Sequence, residues 1–173
     1  VQLGHRYGLL VNVYGFSTNS HTIDLQSGTE RALNAVVPAL AGADELSGVG
    51  EMAAGVLGSY AQMVCDDEIA AGISRLRRGF AADEDALAVE VIAEVMDGPR
   101  NYLGEPHTVR TLRAGEVLLT RLAERGGGTG GGMLGRAQAE AERLLAEHEV
   151  PPLSEEQERE LDEIMREAER TLA

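Results

Sequence analysis

Lysine is absent from this chain of 173 residues, and cysteine and aromatic residues are scarce. All 15 basic residues are arginine, so neither a Schiff-base lysine nor the phosphate-binding lysine of a Walker loop lies in this stretch. Cys65 is the single cysteine, which excludes an internal disulfide and a cysteine metal cluster. Tryptophan is missing beside four tyrosines and two phenylalanines. Any site that needs aromatic faces therefore has few side chains to draw on.

The charge balance excludes two further classes of partner. The formal net charge is −14, so the phosphates of nucleic acids and of anionic membranes would be repelled. No apolar run reaches the roughly 18 residues of a membrane span, and no secretory signal opens the chain. We expect a cytoplasmic protein that binds neither nucleic acid nor membrane. Because the chain begins at Val1, we also expect part of a longer polypeptide or a processed one.

The first fifty residues predict a strand, a helix and a second strand. The run GLLVNVYG at 8–15 is apolar and β-branched without clean alternation, which favours a buried strand of a parallel sheet. Apolar residues at helical spacing follow from Ile23 to Gly42, with Pro38 expected to bend the helix or shorten its last turn. Residues 43–50 favour a second short strand, so this stretch is a predicted βαβ unit. The predicted class is α/β.

The remainder of the chain is predicted to be mostly helical. Capping residues, glycine stops and apolar periodicity mark the helices. The first helix is expected over Ser59–Arg78 and ends before Gly79, and the second runs from the N-cap Asp83 to Gly98-Pro99. A third helix is expected over residues 107–125, and a fourth has an apolar face from Leu134 to His148. The last helix follows a capping box formed by Ser154 and Gln157.

A glycine-rich run, GGGTGGG at 126–132, raises the question of phosphate binding. It matches G-x-G-x-x-G twice, but a run this rich in glycine does so almost automatically. A dinucleotide loop needs a strand leading into the turn, whereas the preceding residues read as helix. We interpret residues 126–133 as a linker between a first part, 1–125, and C-terminal helices of the same domain, 134–173.

Three clusters hold the candidate site residues. Tyr14 and Phe16 stand at the carboxyl end of the first strand, where parallel sheets bind ligands, and aromatic faces attract cations, quaternary ammonium above all. Packing under the loop is the alternative for both. Glu51 follows the second strand and could balance a substrate cation or cap a helix. His107 begins a predicted helix, where it is either a substrate contact or a structural residue.

Three consecutive acidic residues, Asp66, Asp67 and Glu68, form the remaining cluster. A helix sends consecutive side chains in different directions, so they do not make a carboxylate pair by spacing. We interpret them as a solvated face with one structural salt bridge rather than a metal site. No local signature of a catalytic triad appears in the sequence.

The order of several segments resembles the trimethylamine methyltransferase family, cobalamin-dependent enzymes of the MttB type that include glycine betaine methyltransferases. The similar blocks run through nearly all of the chain: DLQSGTERALNAVVPALAGAD, GVGEM, GSYAQMVCDDEIAAGISRLRRGF, NYLGEPHTVRTLR and RAQAEAERLLAEHEVPPL. The resemblance implies the C-terminal half of a (β/α)8 barrel, with one or two of its parallel strands here and a mostly helical region after them.

The resemblance also implies a function. A methyl group would move from a methylated amine to the cobalt of a corrinoid carried on a separate protein, with no cofactor bound directly by this chain. The absence of a non-standard residue favours the glycine betaine type over the pyrrolysine type. Tyr14 and Phe16 would face the cation, Glu51 would balance its charge, and His107 would contact the substrate or fix the pocket. A homo-oligomer is compatible with this assignment.

One departure from the family pattern keeps a second hypothesis open. Ala61 stands where many relatives carry glutamate. The alternative is a non-catalytic helical module that retains the partner-docking part of the family without its activity.

Overall fold

The computed structural model describes residues 1–98, 100–124, 126 and 131–172. Its regular elements in chain order are α1 (Gln2–Arg6), β1 (Asn12–Val13), α2 (Leu25–Leu40), β2 (Glu45–Leu46), β3 (Glu51–Met52), β4 (Leu57–Gly58), α3 (Tyr60–Arg78), α4 (Glu84–Leu87), α5 (Val89–Asp97), α6 (Pro106–Arg113), α7 (Gly132–Glu147) and α8 (Glu155–Leu172).

The predicted βαβ unit is confirmed, with shorter strands than expected. β1 and β2 pair in parallel, Asn12 opposite Glu45 and Val13 opposite Leu46, and α2 connects them. Among the described residues, each strand has one hydrogen-bonded neighbour. Each strand is two residues long, whereas the predicted strands, 8–15 and 43–50, were eight residues long. The chain is therefore mixed and helix-rich, with a small parallel sheet at its start.

A hairpin that the sequence analysis did not predict follows the parallel pair. β3 and β4 are antiparallel, with Glu51 opposite Gly58 and Met52 opposite Leu57. The turn between them places Ala53 and Ala54 at φ values of 51° and 55°, a left-handed conformation that costs alanine energy. Two backbone bonds hold that turn, from the Ala53 amide to the Ser20 carbonyl and from the Ala54 amide to the Thr18 carbonyl, each 2.9 Å long.

Most of the predicted helix ends are confirmed. The Ser59 and Asp83 side chains cap α3 and α4 by accepting the amides of Gln62 and Ala86, and α3 ends at Gly79 with a φ of 71°. The capping box of Ser154 and Gln157 forms in both directions before α8.

The helix predicted over residues 107–125 was wrong in its extent. α6 ends at Arg113 because Gly115 takes a φ of 72°, which turns the chain out of the helix. The helix after Asp83 is likewise divided into α4 and α5 by Ala88, which has a φ of 48°. α5 ends at Asp97, and Pro99 lies outside the described residues.

The core of the first part joins the parallel strands to two helices. Phe16, Ala35, Ala39 and Ile73 form one buried cluster, with α2 and α3 as its walls. Gly15 lets the chain approach α2 closely, since a Cβ there would lie 3.1 Å from the Cα of Ala35. A second cluster of Cys65, Leu122 and Ala137 packs against the other side of α3.

The larger apolar residues of α2 are mostly exposed. Leu25, Leu33 and Val37 are open to solvent, and the buried residues are Ser27, Arg31, Ala35 and Ala39. α2 therefore turns its small and polar side toward the strands. A groove of about 720 Å³ runs beside the exposed face, lined by residues that include Val13, Leu33 and Val37.

The chain forms two compact units, Val1–Glu142 and Arg143–Ala173. In the second unit, α8 has an amphipathic sequence and leaves its apolar residues Leu161, Ile164 and Met165 exposed. Within the predicted glycine-rich linker, residues 127–130 lie outside the described residues, and α7 begins at Gly132. None of the described helices combines the length and apolar character needed to cross a membrane.

Replacing Ile73 with alanine should reduce the free energy of unfolding by about 2–5 kcal/mol, because it opens a cavity between α2 and α3. Urea denaturation measures the change. The control is Leu76→Ala, one turn later on the same helix and half exposed, which should cost less than about 1 kcal/mol. Equal losses in the two variants would contradict the core as described.

Candidate functional site

The carboxyl ends of β1 and β2 bring Tyr14 and Glu51 together. The parallel register places the residues that follow both strands at one edge of the sheet. There the Tyr14 hydroxyl donates a hydrogen bond to the Glu51 carboxylate. The Tyr14 side chain is half exposed, so this pair lies at an open rim rather than in the interior.

Two glycines make room for the Tyr14 ring and the Glu51 carboxylate. Gly48 has a φ of 91°, and a Cβ at that position would lie 3.2 Å from the Tyr14 ring. At Gly55, with a φ of 86°, a Cβ would lie 3.4 Å from a carboxylate oxygen of Glu51. The turns around the rim are therefore built for these two side chains.

In this hydrogen bond Tyr14 is the neutral donor and the Glu51 carboxylate is the charged acceptor. The hydrogen bond that the phenol donates to the Glu51 carboxylate raises the pKa of Tyr14 above its ordinary value of 10.0. Tyr14 thus stays a neutral donor at physiological pH. The rim presents an oriented carboxylate to solvent, and an oriented carboxylate attracts cations.

Phe16 lies behind this rim. Its side chain is 3% exposed and packs in the core with Ala35, Ala39 and Ile73. This position corresponds to the packing alternative of the sequence analysis, and the role of its ring in substrate binding stays a prediction. The Phe16 backbone nevertheless takes part in the site through its carbonyl.

His107 lies on a different surface. Its Nε2 atom is 2.8 Å from the carbonyl oxygen of Asp85. It lines a cleft of about 570 Å³ together with α4 and the start of α5, including the acidic residues Glu84, Asp85 and Glu90. The hydrogen bond of His107 thus leads to α4 rather than to Tyr14 or Glu51, and its role as a substrate contact stays a prediction.

A buried ion pair joins the strand ends beneath the rim. Arg31 on α2 and Asp66 on α3 are both 0% exposed, and their side chains meet at 2.9 Å. The same guanidinium donates to the backbone carbonyls of Phe16 and Glu51, and its Nε donates to Ser27 at 3.3 Å. The Arg31 side chain therefore connects the segment after β1, the start of β3 and the helices α2 and α3.

The Asp66 carboxylate accepts hydrogen bonds from three different groups. It accepts the Gly50 amide at 2.8 Å and the Gln62 side-chain amide at 2.8 Å, besides the Arg31 guanidinium. Burial raises the pKa of the Asp66 carboxyl above its ordinary value, and these hydrogen bonds and the Arg31 charge oppose that shift. Among the described residues, every buried side-chain nitrogen or oxygen has a hydrogen-bond partner. The network is thus fully satisfied, as a buried ion pair requires.

Each of the three consecutive acidic residues makes an ion pair, rather than the one salt bridge predicted. Asp66 pairs with Arg31, and Asp67 and Glu68 pair with Arg121. The Asp67 side chain is exposed as predicted, whereas the side chain of Glu68 is 10% exposed. In the described part of the chain, no three His, Cys, Asp or Glu side chains lie close enough together to hold a metal ion.

A second polar network fixes the loop between β1 and α2. Glu30 accepts the Thr18 hydroxyl at 2.6 Å and the Asn19 amide at 2.8 Å, and these bonds lower the pKa of its carboxyl. Asp24 caps α2 by accepting the Ser27 amide at 2.9 Å. The loop at the rim is therefore anchored at both ends.

Comparison with known proteins identifies the family. The model of the trimethylamine methyltransferase (MTTB) family matches residues 1–172. The chain belongs to this family. It is 34% identical to trimethylamine methyltransferase MttB of Methanosarcina barkeri over 107 residues, covering 62% of this chain and 21% of that protein. It is also 28% identical to trimethylamine methyltransferase MttB2 of Methanosarcina mazei over 156 residues, covering 88% of this chain and 31% of that protein.

A relative with a different name is also similar. Glycine betaine methyltransferase of Desulfitobacterium hafniense is 32% identical over 108 residues, covering 62% of this chain and 22% of that protein. The chain thus spans about a fifth to a third of the length of these relatives. The resemblance drawn from the sequence is confirmed at the level of the family.

Arg31 was not among the predicted site residues, so the buried network that organises the site was not predicted either. A signal was available in the spacing of Ser27, Arg31, Ala35 and Ala39, which repeat every fourth residue and share one helix face. An arginine in line with small residues indicates a side chain directed into a close helix contact. Ala61 is partly buried and packs against the cluster of Cys65 and Leu122.

Replacing Arg31 with methionine should cost about 3–5 kcal/mol of unfolding free energy, because it leaves the Asp66 carboxylate buried without its ion partner. Urea denaturation measures the loss. Arg110→Met is the matched control, since it breaks the exposed pair with Asp85 and should cost less than about 1 kcal/mol.

A second variant separates the lost charge partner from lost packing. Adding Asp66→Leu to Arg31→Met removes the stranded carboxylate and should recover part of the stability. If Arg31→Met cost no more than Arg110→Met, the buried pair would not organise this site.

Proposed function

We propose that this chain is the C-terminal part of a (β/α)8-barrel methyltransferase. In this proposal, a methyl group moves from a methylated amine to the Co(I) corrinoid of a partner protein. Membership in the trimethylamine methyltransferase family supports the methyltransferase class. The observation that carries the proposal is the Tyr14–Glu51 pair, an oriented carboxylate at the carboxyl ends of two parallel strands.

The barrel assignment draws support from the surfaces that the chain leaves open. β1 and β2 are parallel neighbours joined through a helix, which is the repeating unit of the barrel. The exposed apolar face of α2 and the groove beside it suit the flank of another strand and helix unit. The relatives are roughly three to five times longer than the aligned segment, which leaves ample length for such units.

The chemistry asks little of this chain beyond binding and positioning. When bound, the corrinoid of the partner supplies the nucleophile that takes the methyl group, and the C–N bond electrons stay on the amine nitrogen. A quaternary ammonium leaves as a neutral amine, so that substrate needs no general acid. Glu51 would hold the cation by charge, and Tyr14 would fix the carboxylate in place. The half-exposed rim suits a substrate whose methyl group must face a separate protein.

Replacing Glu51 with glutamine should raise the KM for the methylated amine about tenfold or more, since roughly 1.4 kcal/mol of charge attraction corresponds to a factor of ten. The assay follows methylation of Co(I) corrinoid spectroscopically, with trimethylamine and glycine betaine tested separately on the full-length protein. Glu45→Gln, the same change on the exposed strand β2, is the control and should leave KM unchanged. Tyr14→Phe should raise KM roughly fivefold, through loss of one hydrogen bond to the carboxylate.

The outcome decides between the two hypotheses of the sequence analysis. If the full-length protein transfers no methyl group from trimethylamine, glycine betaine or any other methylated amine, the hypothesis of a non-catalytic docking module remains. Transfer that is insensitive to Glu51→Gln would retain the enzyme but remove this rim from its substrate site.

A further inference from the structure

A cavity of about 300 Å³ opens between the β3–β4 hairpin and the first turn of α3. The residues that line it are small or largely apolar, apart from one carboxylate: Val49, Gly50, Glu51, Gly58, Ser59, Tyr60 and Met63. The volume lies at the lower end of the range for small-molecule sites. A ligand of a few heavy atoms would fit such a space.

Gly58 provides the open space next to Glu51. The two residues are directly opposite in the antiparallel pair, so their side-chain positions share one face of the hairpin. A Cβ at Gly58 would meet no atom within 4 Å, and the backbone there is not left-handed. A larger side chain could therefore occupy position 58 without strain and would extend over the face that carries Glu51.

The walls of the cavity suit methyl groups. Tyr60, the first residue of α3, is 62% exposed, and Val49 and Met63 are also accessible. The Ser59 hydroxyl is engaged as the cap of α3, accepting the Gln62 amide at 3.2 Å. An aromatic face, a thioether and a valine beside one carboxylate are the groups that bind a methylated ammonium ion.

The electrostatic balance in the cavity favours a cation. The N-terminus of α3 contributes a partial positive charge of about half an elementary charge, which opposes a cation. Glu51 contributes a full negative charge on the same cavity, and no basic side chain is among the described residues that line it. The full charge of the carboxylate therefore outweighs the partial charge of the helix end.

We propose that this cavity is the pocket for the methylated ammonium group, with Glu51 as its counter-ion, Tyr60 as its aromatic wall and Gly58 as the residue that sets its size. This assignment rests on the proposed function and deepens it. Tyr14 does not line the cavity and acts as a positioning residue through its hydrogen bond to Glu51.

The steric test compares Gly58→Leu with Gly28→Leu. Both glycines are exposed, and at both a Cβ would meet no atom within 4 Å, but Gly28 lies on α2 away from the hairpin. Binding of tetramethylammonium to the full-length protein is measured by titration calorimetry, and thermal unfolding checks that each variant folds. Gly58→Leu should weaken binding by more than about tenfold, whereas Gly28→Leu should bind like the unchanged protein. If Gly58→Leu fails to fold, Gly58→Ala takes its place and should show a smaller loss in the same direction.

The aromatic wall is tested separately by Tyr60→Leu and Tyr60→Phe. Tyr60→Leu should weaken tetramethylammonium binding roughly three- to thirtyfold through loss of the ring face, and Tyr60→Phe should retain most of it. Choline should bind and its neutral carbon isostere, 3,3-dimethyl-1-butanol, should not, since the isostere has the shape without the charge. Glycine betaine in the same titration reports whether a carboxylate on the ligand is tolerated.

The results distinguish this pocket from the proposed function. Methyl transfer with an unchanged KM in Gly58→Leu would overturn the pocket and leave the methyltransferase standing. An unchanged affinity in Tyr60→Leu, or equal binding of choline and its isostere, would overturn it as well. Absence of methyl transfer in the unchanged protein would instead count against the proposed function.

Discussion

The buried pair of Arg31 and Asp66 is the interaction on which the described site depends. Two charges are removed from water at a cost of several kcal/mol each, and only complete hydrogen bonding offsets that cost. The guanidinium meets the requirement by donating to the carbonyls of Phe16 and Glu51, and the carboxylate by accepting the Gly50 amide. The pair thereby fixes the backbone after β1 and at the start of β3.

This arrangement explains how a sheet of two short strands supports an ordered rim. Extended pairing would ordinarily hold the residues that follow β1 and β2, but only two residues of each strand pair. Polar contacts from α2 and α3 replace it, and the hairpin turn is held to the preceding loop at Ala53 and Ala54. Above this interior the rim carries the oriented carboxylate of Glu51, on which the proposed binding of a cation depends.

The sequence alone predicts those elements that follow from local chemistry. The parallel βαβ unit, the N-cap Asp83, the capping box at Ser154 and the stop at Gly79 each rest on a few neighbouring residues, and all of them form. The family also follows from the order of similar blocks. The features that were not predicted depend on partners distant in the chain. The buried face of α2 is set by Asp66, 35 residues after Arg31, and the hairpin by a turn whose alanines take conformations that alanine disfavours. Phe16 packs in the core, and its carbonyl accepts a hydrogen bond from Arg31.

Hydrogen exchange at the Gly50 amide tests the central role of this pair most directly. Gly50 belongs to a turn, where amides ordinarily exchange fast, but its N–H donates to the buried Asp66 carboxylate. Measured by NMR, its exchange should be as slow as that of the Ala35 amide in the core of α2. It should accelerate in Asp66→Ala while the amides of α8 remain unchanged. A Gly50 amide that exchanges at the rate of an open turn in the unchanged protein would contradict the account.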